Sequence, residues 1–105
     1  MLEVDFEDLL KTAGERELRL LIKKGSEYRC GDEDVLANFK RIAKLINLPV
    51  SKVWAVYFIK HVDSILNHIR SDVSSSKMEE SLESRIDDAR NYLALGRAIF
   101  QEQEK

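Results

Sequence analysis

Apolar residues recur three and four positions apart along nearly the whole chain, and this spacing constrains the fold more than any other feature. A period near 3.6 lays side chains along one face of an α-helix, whereas a strand needs a period of two. One proline and four glycines among 105 residues leave too few turn signals for a sandwich or a barrel. The expected fold class is therefore all-α. A chain of this length buries roughly two-thirds of its unfolded surface, enough for one core, so a single domain over 1–105 is expected.

The pattern predicts four helices. The first runs from about Asp5 to Lys24, with Phe6, Leu9, Leu10, Ala13, Leu20 and Leu21 on one face. Gly25 is its expected stop, and Lys23 and Lys24 complement the carboxyl end of the dipole. Gly14 reads equally as a tolerated kink or a break, at ~1 kcal/mol relative to alanine. The second helix spans about Glu33 to Ile46, capped by Asp32 or Asp34, and presents Val35, Leu36, Phe39, Ile42, Ala43 and Ile46 to the core. Asn47-Leu48-Pro49 closes it, because a residue before proline avoids helical angles.

Ser51 is the expected cap of the third helix, about Lys52 to Arg70. That helix is apolar over more than half its circumference, which makes it the expected central helix. Residues 71–77 form a small polar linker, expected to be mobile. The fourth helix runs from about Glu79 to near the C-terminus. It carries one stripe of Leu82, Ile86, Ala89, Leu93 and Phe100, and a second of Tyr92, Leu95 and Ile99. Short connections favour antiparallel neighbours, hence a small four-helix bundle. The second stripe exceeds what one small bundle usually needs, and it reads equally as a homo-oligomer contact or as full burial within one chain.

Charge and cysteine usage exclude several function classes. Net charge is −2 with a pI near 5.7, so no direct DNA binding is expected. Cys30 is the lone cysteine, which excludes an internal disulfide and a cysteine zinc cage and fits a reducing cytoplasm. No apolar run reaches the ~18 residues of a membrane span. The acidic, amphipathic start MLEVDFEDLLK is unlike a secretory signal. A cytoplasmic location without membrane partners is the expectation.

Functional groups in helical bundles project inward, so polar residues that interrupt apolar faces are the candidates. Glu17 falls inside the first helix's stripe, where it either lines a site or reaches out to water. Asn38 lies one turn before Ile42, with Asp34 one turn earlier, and a buried Asn must be hydrogen-bonded. Lys60, Asp63, Ser64 and Asn67 continue a stripe begun by Val53, Val56 and Tyr57. They form either a solvated face or a cleft, where an ammonium meets phosphate and a carboxylate a hard cation. His61 and His68 lack zinc-ligand spacing. Acids near the start of helix four, such as Glu80 and Glu83, favour the dipole. Asp88 lies deeper, beside Tyr92, Leu95 and Ile99, and Asn91 lies on the line of Ser84 and Asp87, one turn beyond Asp87. Carboxylates with few histidines or cysteines suit Mg2+ or Mn2+, most usefully with a phosphate-bearing substrate. No P-loop or GxGxxG motif is present.

Two segments carry a family resemblance: KKGSEYRCGDEDVLANFKRIAKLINLPVSKVWAVYFIKHVDSI and ESRIDDARNYLALGRAI. With Glu27, Tyr28, Gly31, Ala37, Asn38, Phe39, Lys60, His61, Glu83, Arg85, Asp88, Asn91 and Tyr92 in place, they resemble small, mostly phage-encoded nucleotide-modification-associated domains. That family looks like a distant branch of the all-α NTP pyrophosphatases, the MazG-like proteins. The resemblance implies a MazG-like fold, a nucleotide partner, a homo-oligomer and a Mg2+-dependent pyrophosphohydrolase in the host cytoplasm. It implies Glu27, Glu83 and Asp88 as catalytic carboxylates, and these with Asp34 as metal ligands. Lys60 and Arg85 would neutralise phosphate, and Asn38, Asn91 and Tyr28 would bind the substrate.

The chain departs from the superfamily at two places. The E-x-x-E pair is absent, and Arg85 stands where the acid of E-x-x-D belongs if Asp88 is its aspartate. A non-catalytic nucleotide-binding protein is therefore an alternative expectation. A helical protein-interaction module of a phage is another, resting on the apolar surface of helix four.

Overall fold

The computed structural model describes residues 1–29, 33–71 and 80–103, and the side chains of all of these except 24–29. The described residues form four α-helices and no strand: α1 (Glu3–Arg29), α2 (Ala37–Ile46), α3 (Val50–Arg70) and α4 (Leu82–Gln103). The all-α class read from periodicity is the class observed. The chain divides into two compact units, Met1–Val35 and Leu36–Lys105. Cys30, Gly31, Asp32 and nearly all of the expected linker 71–77 lie outside the described residues.

The first unit is built on α1, a helix of 27 residues with Glu3 and Asp5 in its first turn. It runs through Gly14 without a break and continues past Gly25, which is not its stop. Each helical glycine costs ~1 kcal/mol, and once a long helix is nucleated each further residue adds a bond. Leu2, Phe6, Leu9 and Leu10 are about half exposed or more.

In the second unit, α2 starts at Ala37 rather than Glu33. Its N-cap is Leu36, which supplies no side-chain bond, so Asp34 is not the cap. Leu36 is 2% exposed. Burying a leucine is worth about 1.5–3 kcal/mol, more than the ~1 kcal/mol of a typical cap. The end of α2 matches its sequence. Asn47 takes the left-handed conformation (φ 55°, ψ 48°), and its N–H donates to the Ala43 carbonyl. The Leu48 N–H reaches the same oxygen at 3.1 Å.

The chain then turns through 107° into α3. Pro49, not Ser51, is the N-cap there, and Ser51 lies in the first turn. The Pro49 carbonyl accepts the N–H groups of Lys52 (3.1 Å) and Val53 (3.3 Å). Helix α4 begins at Leu82 rather than Glu79. Ser81 precedes it, and its Oγ accepts the Ser84 N–H at 3.1 Å, a side-chain cap that satisfies one orphan donor.

Helix α3 is central in this unit, since α2 and α4 both pack on it. The core is Leu36, Phe39, Ala43, Val53 and Ile99, surrounded by Ile42, Trp54, Tyr57, Tyr92 and Leu95 among others. Phe39 meets Tyr57 and Tyr92 edge-on at 6.1 and 6.0 Å, the geometry that aromatic quadrupoles favour. Lys40 Nζ reaches Glu102 at 2.6 Å and ties α2 to the end of α4.

One expected core assignment is corrected: Val35 and Ile46 are exposed. On α3, Val56, Ile59, Leu66 and Ile69 are exposed as well. The two stripes of α4 divide: in the first, Ala89 is buried but Ile86, Leu93 and Phe100 are 43, 52 and 48% exposed. The second stripe faces the core instead: Ile99 is buried, and Tyr92 and Leu95 pack against it. The cause is close approach. Buried Gly96 admits the Trp54 ring against the α4 backbone, and the indole Nε1–H donates to the Tyr92 carbonyl at 2.6 Å. No single helix among the described residues is long and apolar enough to cross a membrane.

Candidate functional site

Asp88 and Asn91 occupy the middle of α4, three residues apart and so about 60° apart around the helix. Asp88 is half-buried. Asn91 is 6% exposed, and its Oδ1 has no hydrogen-bond partner among the described residues. Leaving a buried acceptor unmet costs about 1–3 kcal/mol, and the Asn91 Oδ1 is such an acceptor. Tyr92, the next residue, lies against His61 with ring centroids 4.4 Å apart. His68 is buried near the end of α3. Both histidines are thus part of the packing around α3.

Arg85 is held by the fold. Its Nη1 donates to the Ser64 carbonyl at 3.1 Å and to Ser64 Oγ at 2.8 Å, and its Nε donates to the Glu80 carbonyl at 3.3 Å. The guanidinium therefore ties the start of α4 to α3. Glu83 is exposed, and five residues of helix place it about 140° around from Asp88. Those two carboxylates do not face one ion from the same helix. Among the described residues, no three of His, Cys, Asp and Glu come together to hold a metal.

The remaining candidates lie on other elements. Asn38 is half-buried in the first turn of α2, and Lys60 is exposed on α3. Asp63, on the same stripe, accepts from Asn67 Nδ2 at 3.3 Å. Asp34 is half-buried and belongs to the first unit, as does Glu17; Asp88 and Asn91 belong to the second. The side chains of Glu27 and Tyr28 lie outside the described residues.

Sequence reasoning missed one feature. Trp54, Leu93, Gly96, Arg97, Phe100 and Gln101 line an open groove of about 410 Å³. Its signal was a glycine inside helix four, where propensity disfavours glycine unless another group must come close. A Cβ on Gly96 would overlap the Trp54 ring. A second shallow groove, about 740 Å³, lies at the α2–α3 corner beside Lys40, Arg41, Lys44 and Pro49. Comparison of the chain with protein-family models, with curated proteins and with solved structures finds no match to any of them.

Proposed function

We propose that this chain binds nucleotides on the flank of α4 that carries Asp88 and Asn91, as a MazG-like nucleotide-processing protein. The observation that supports this reading is the buried Asn91 Oδ1 without a hydrogen-bond partner, beside a half-buried carboxylate. An amide oxygen and a carboxylate both accept hydrogen bonds. A nucleoside offers matching donors in its sugar hydroxyls and exocyclic amino groups. The family resemblance includes these two residues among its candidates.

In the enzymatic form of this reading, Asp88 takes a proton from water as it attacks a triphosphate, releasing nucleoside monophosphate and pyrophosphate. Glu83 and Asp88 do not suit a shared Mg2+, so no step is assigned to the metal, and its requirement is an outcome of the test. The test incubates the protein with each common ribo- and deoxynucleoside triphosphate, with and without Mg2+ or Mn2+. Anion-exchange chromatography resolves products, and equilibrium dialysis reads binding. Binding that is lost in Asn91→Leu, with turnover lost in Asp88→Asn, is the expected result. Binding without turnover selects a sequestering protein. No binding of any nucleotide overturns the reading.

A second reading, a helical interaction module, has its own support in the exposed Ile86–Leu93–Phe100 stripe. Contiguous exposed apolar side chains mark interaction surfaces. Designed amphipathic helical peptides of acidic, neutral and basic type, titrated into isotope-labelled protein, test it. Saturable amide shifts at Leu93, Arg97 and Phe100 are expected. Silence there for all three peptides removes it.

A further inference from the structure

We infer that the α4 stripe seats the first helix of a second copy of this chain, so that two chains exchange α1–α4 contacts about a two-fold axis. This inference rests on the docking reading of that stripe and names its occupant.

The stripe has a definite length and charge. Ile86, Leu93 and Phe100 repeat every seven residues, the spacing of a helix-on-helix seam, over about 21 Å of α4. Arg90 and Arg97 follow Ile86 and Leu93 by four residues, so they run along the same side. Between Leu93 and Phe100 the groove beside Trp54 and Gly96 has room for one large apolar side chain. The surface is thus apolar in the middle, with Arg90 and Arg97 along one edge beside Leu93 and Phe100 and Glu83 beyond its start.

Helix α1 carries the complement. Leu2, Phe6 and Leu9 recur at four and three residues on one side, with Leu10 beside them, and all are open to solvent. Glu3, Asp5, Glu7 and Asp8 lie among them, and no basic side chain precedes Lys11. By helical spacing Glu3 and Asp5 flank the apolar side, where they can meet arginines across a helix pair. An acidic amphipathic helix and an apolar stripe edged by arginines are therefore encoded in one chain, each with exposed apolar side chains. A two-fold pairing covers both surfaces of each chain with two copies of one kind of contact. Phe6 or Leu9 is the side chain sized for the Trp54 groove.

The test uses the full chain and charge reversal. One variant carries Glu3→Arg and Asp5→Arg; the other carries Arg90→Glu and Arg97→Glu. Sedimentation equilibrium reads association, and circular dichroism confirms that each variant keeps its helices. The unmodified chain is expected to dimerise, and each variant alone to weaken the dimer roughly tenfold or more by like-charge juxtaposition. An equimolar mixture is expected to recover a heterodimer, because both exchanged contacts then pair opposite charges. A chain that stays monomeric, a dimer that ignores both reversals, or a mixture that fails to recover each overturns the inference. A monomeric chain whose Leu93, Arg97 and Phe100 amides still respond to the designed acidic peptide removes the self-occupant and leaves the docking reading in place. Absence of both responses removes both.

Discussion

The indole N–H of Trp54 donates to the backbone carbonyl of Tyr92 at 2.6 Å, across two helices and 38 residues of sequence. A carbonyl has two lone pairs, so Tyr92 can accept the indole without giving up its place in the α4 ladder. The residue whose N–H donates to the Tyr92 carbonyl within that ladder is four positions on, and it is Gly96. Its missing side chain is the space that the tryptophan ring uses. One aromatic residue and one glycine thereby set the depth at which α3 and α4 meet.

Gly96→Ala is therefore expected to destabilise the protein by about 1–3 kcal/mol through overpacking, despite the ~1 kcal/mol gained in helix propensity. Gly14→Ala is the internal control. A Cβ there meets nothing within 4 Å, so the same substitution in α1 should raise helicity and stabilise by up to ~1 kcal/mol. Urea unfolding followed by circular dichroism reads both, and equal signs for the two variants would contradict the Trp54–Gly96 contact.

Trp54→Phe keeps a ring in place and removes the N–H donor. A loss of about 0.5–1.5 kcal/mol is expected, the net worth of one hydrogen bond. Trp54 is the sole tryptophan, so intrinsic fluorescence reports the α3–α4 contact directly. Its emission should shift to the red together with the loss of helicity on unfolding. A shift that precedes helix loss would mean that the contact is not part of the cooperative core.

The Arg85–Ser64 link is expected to act on stability. Arg85→Met and Ser64→Ala, alone and together, form a double-mutant cycle whose coupling energy should fall between about 0.5 and 3 kcal/mol. Arg85→Lys should not rescue it, because one ammonium cannot reproduce the geometry of a guanidinium that also reaches the Glu80 carbonyl. A coupling near zero would return the guanidinium to solvent and to ligand binding.

The two faces of α4 can be told apart by substitution. Leu93→Ala, on the exposed stripe, should change stability by no more than about 0.5 kcal/mol. Phe39→Ala removes a side chain 1% exposed, set edge-on against the stacked rings of Tyr57 and Tyr92, and should cost about 3–5 kcal/mol. Concentration must be held fixed in these measurements, since association through α4 would add its own stabilisation to the unmodified chain.

Little of the candidate site's burial was legible in the residues. Asp88 stood out as an acid on an apolar flank and is half-buried, whereas Asn91, aligned with Ser84 and Asp87 in the sequence, is buried only because α4 packs in the folded unit. The place of Arg85 was not legible. Its partner Ser64 lies 21 residues away, and the bond exists only because two helices pair. The caps divide in the same way. Asn47 closes α2 as its local chemistry dictates. Asp34 and Ser51 do not cap, because Leu36 is drawn into the core and proline sets the start of α3.

The sequence by itself determined four helices and no strands among the described residues, because a period of three and four is enforced locally, turn by turn. It did not determine which stripe of α4 lies inside. Both stripes are apolar and both have helical spacing, so burial alone gives no preference. The choice fell to the face that could bring Ile99 into the core and leave Gly96 under Trp54. Shape complementarity between distant residues decided it, since close packing rewards fit on a scale that hydrophobicity does not resolve.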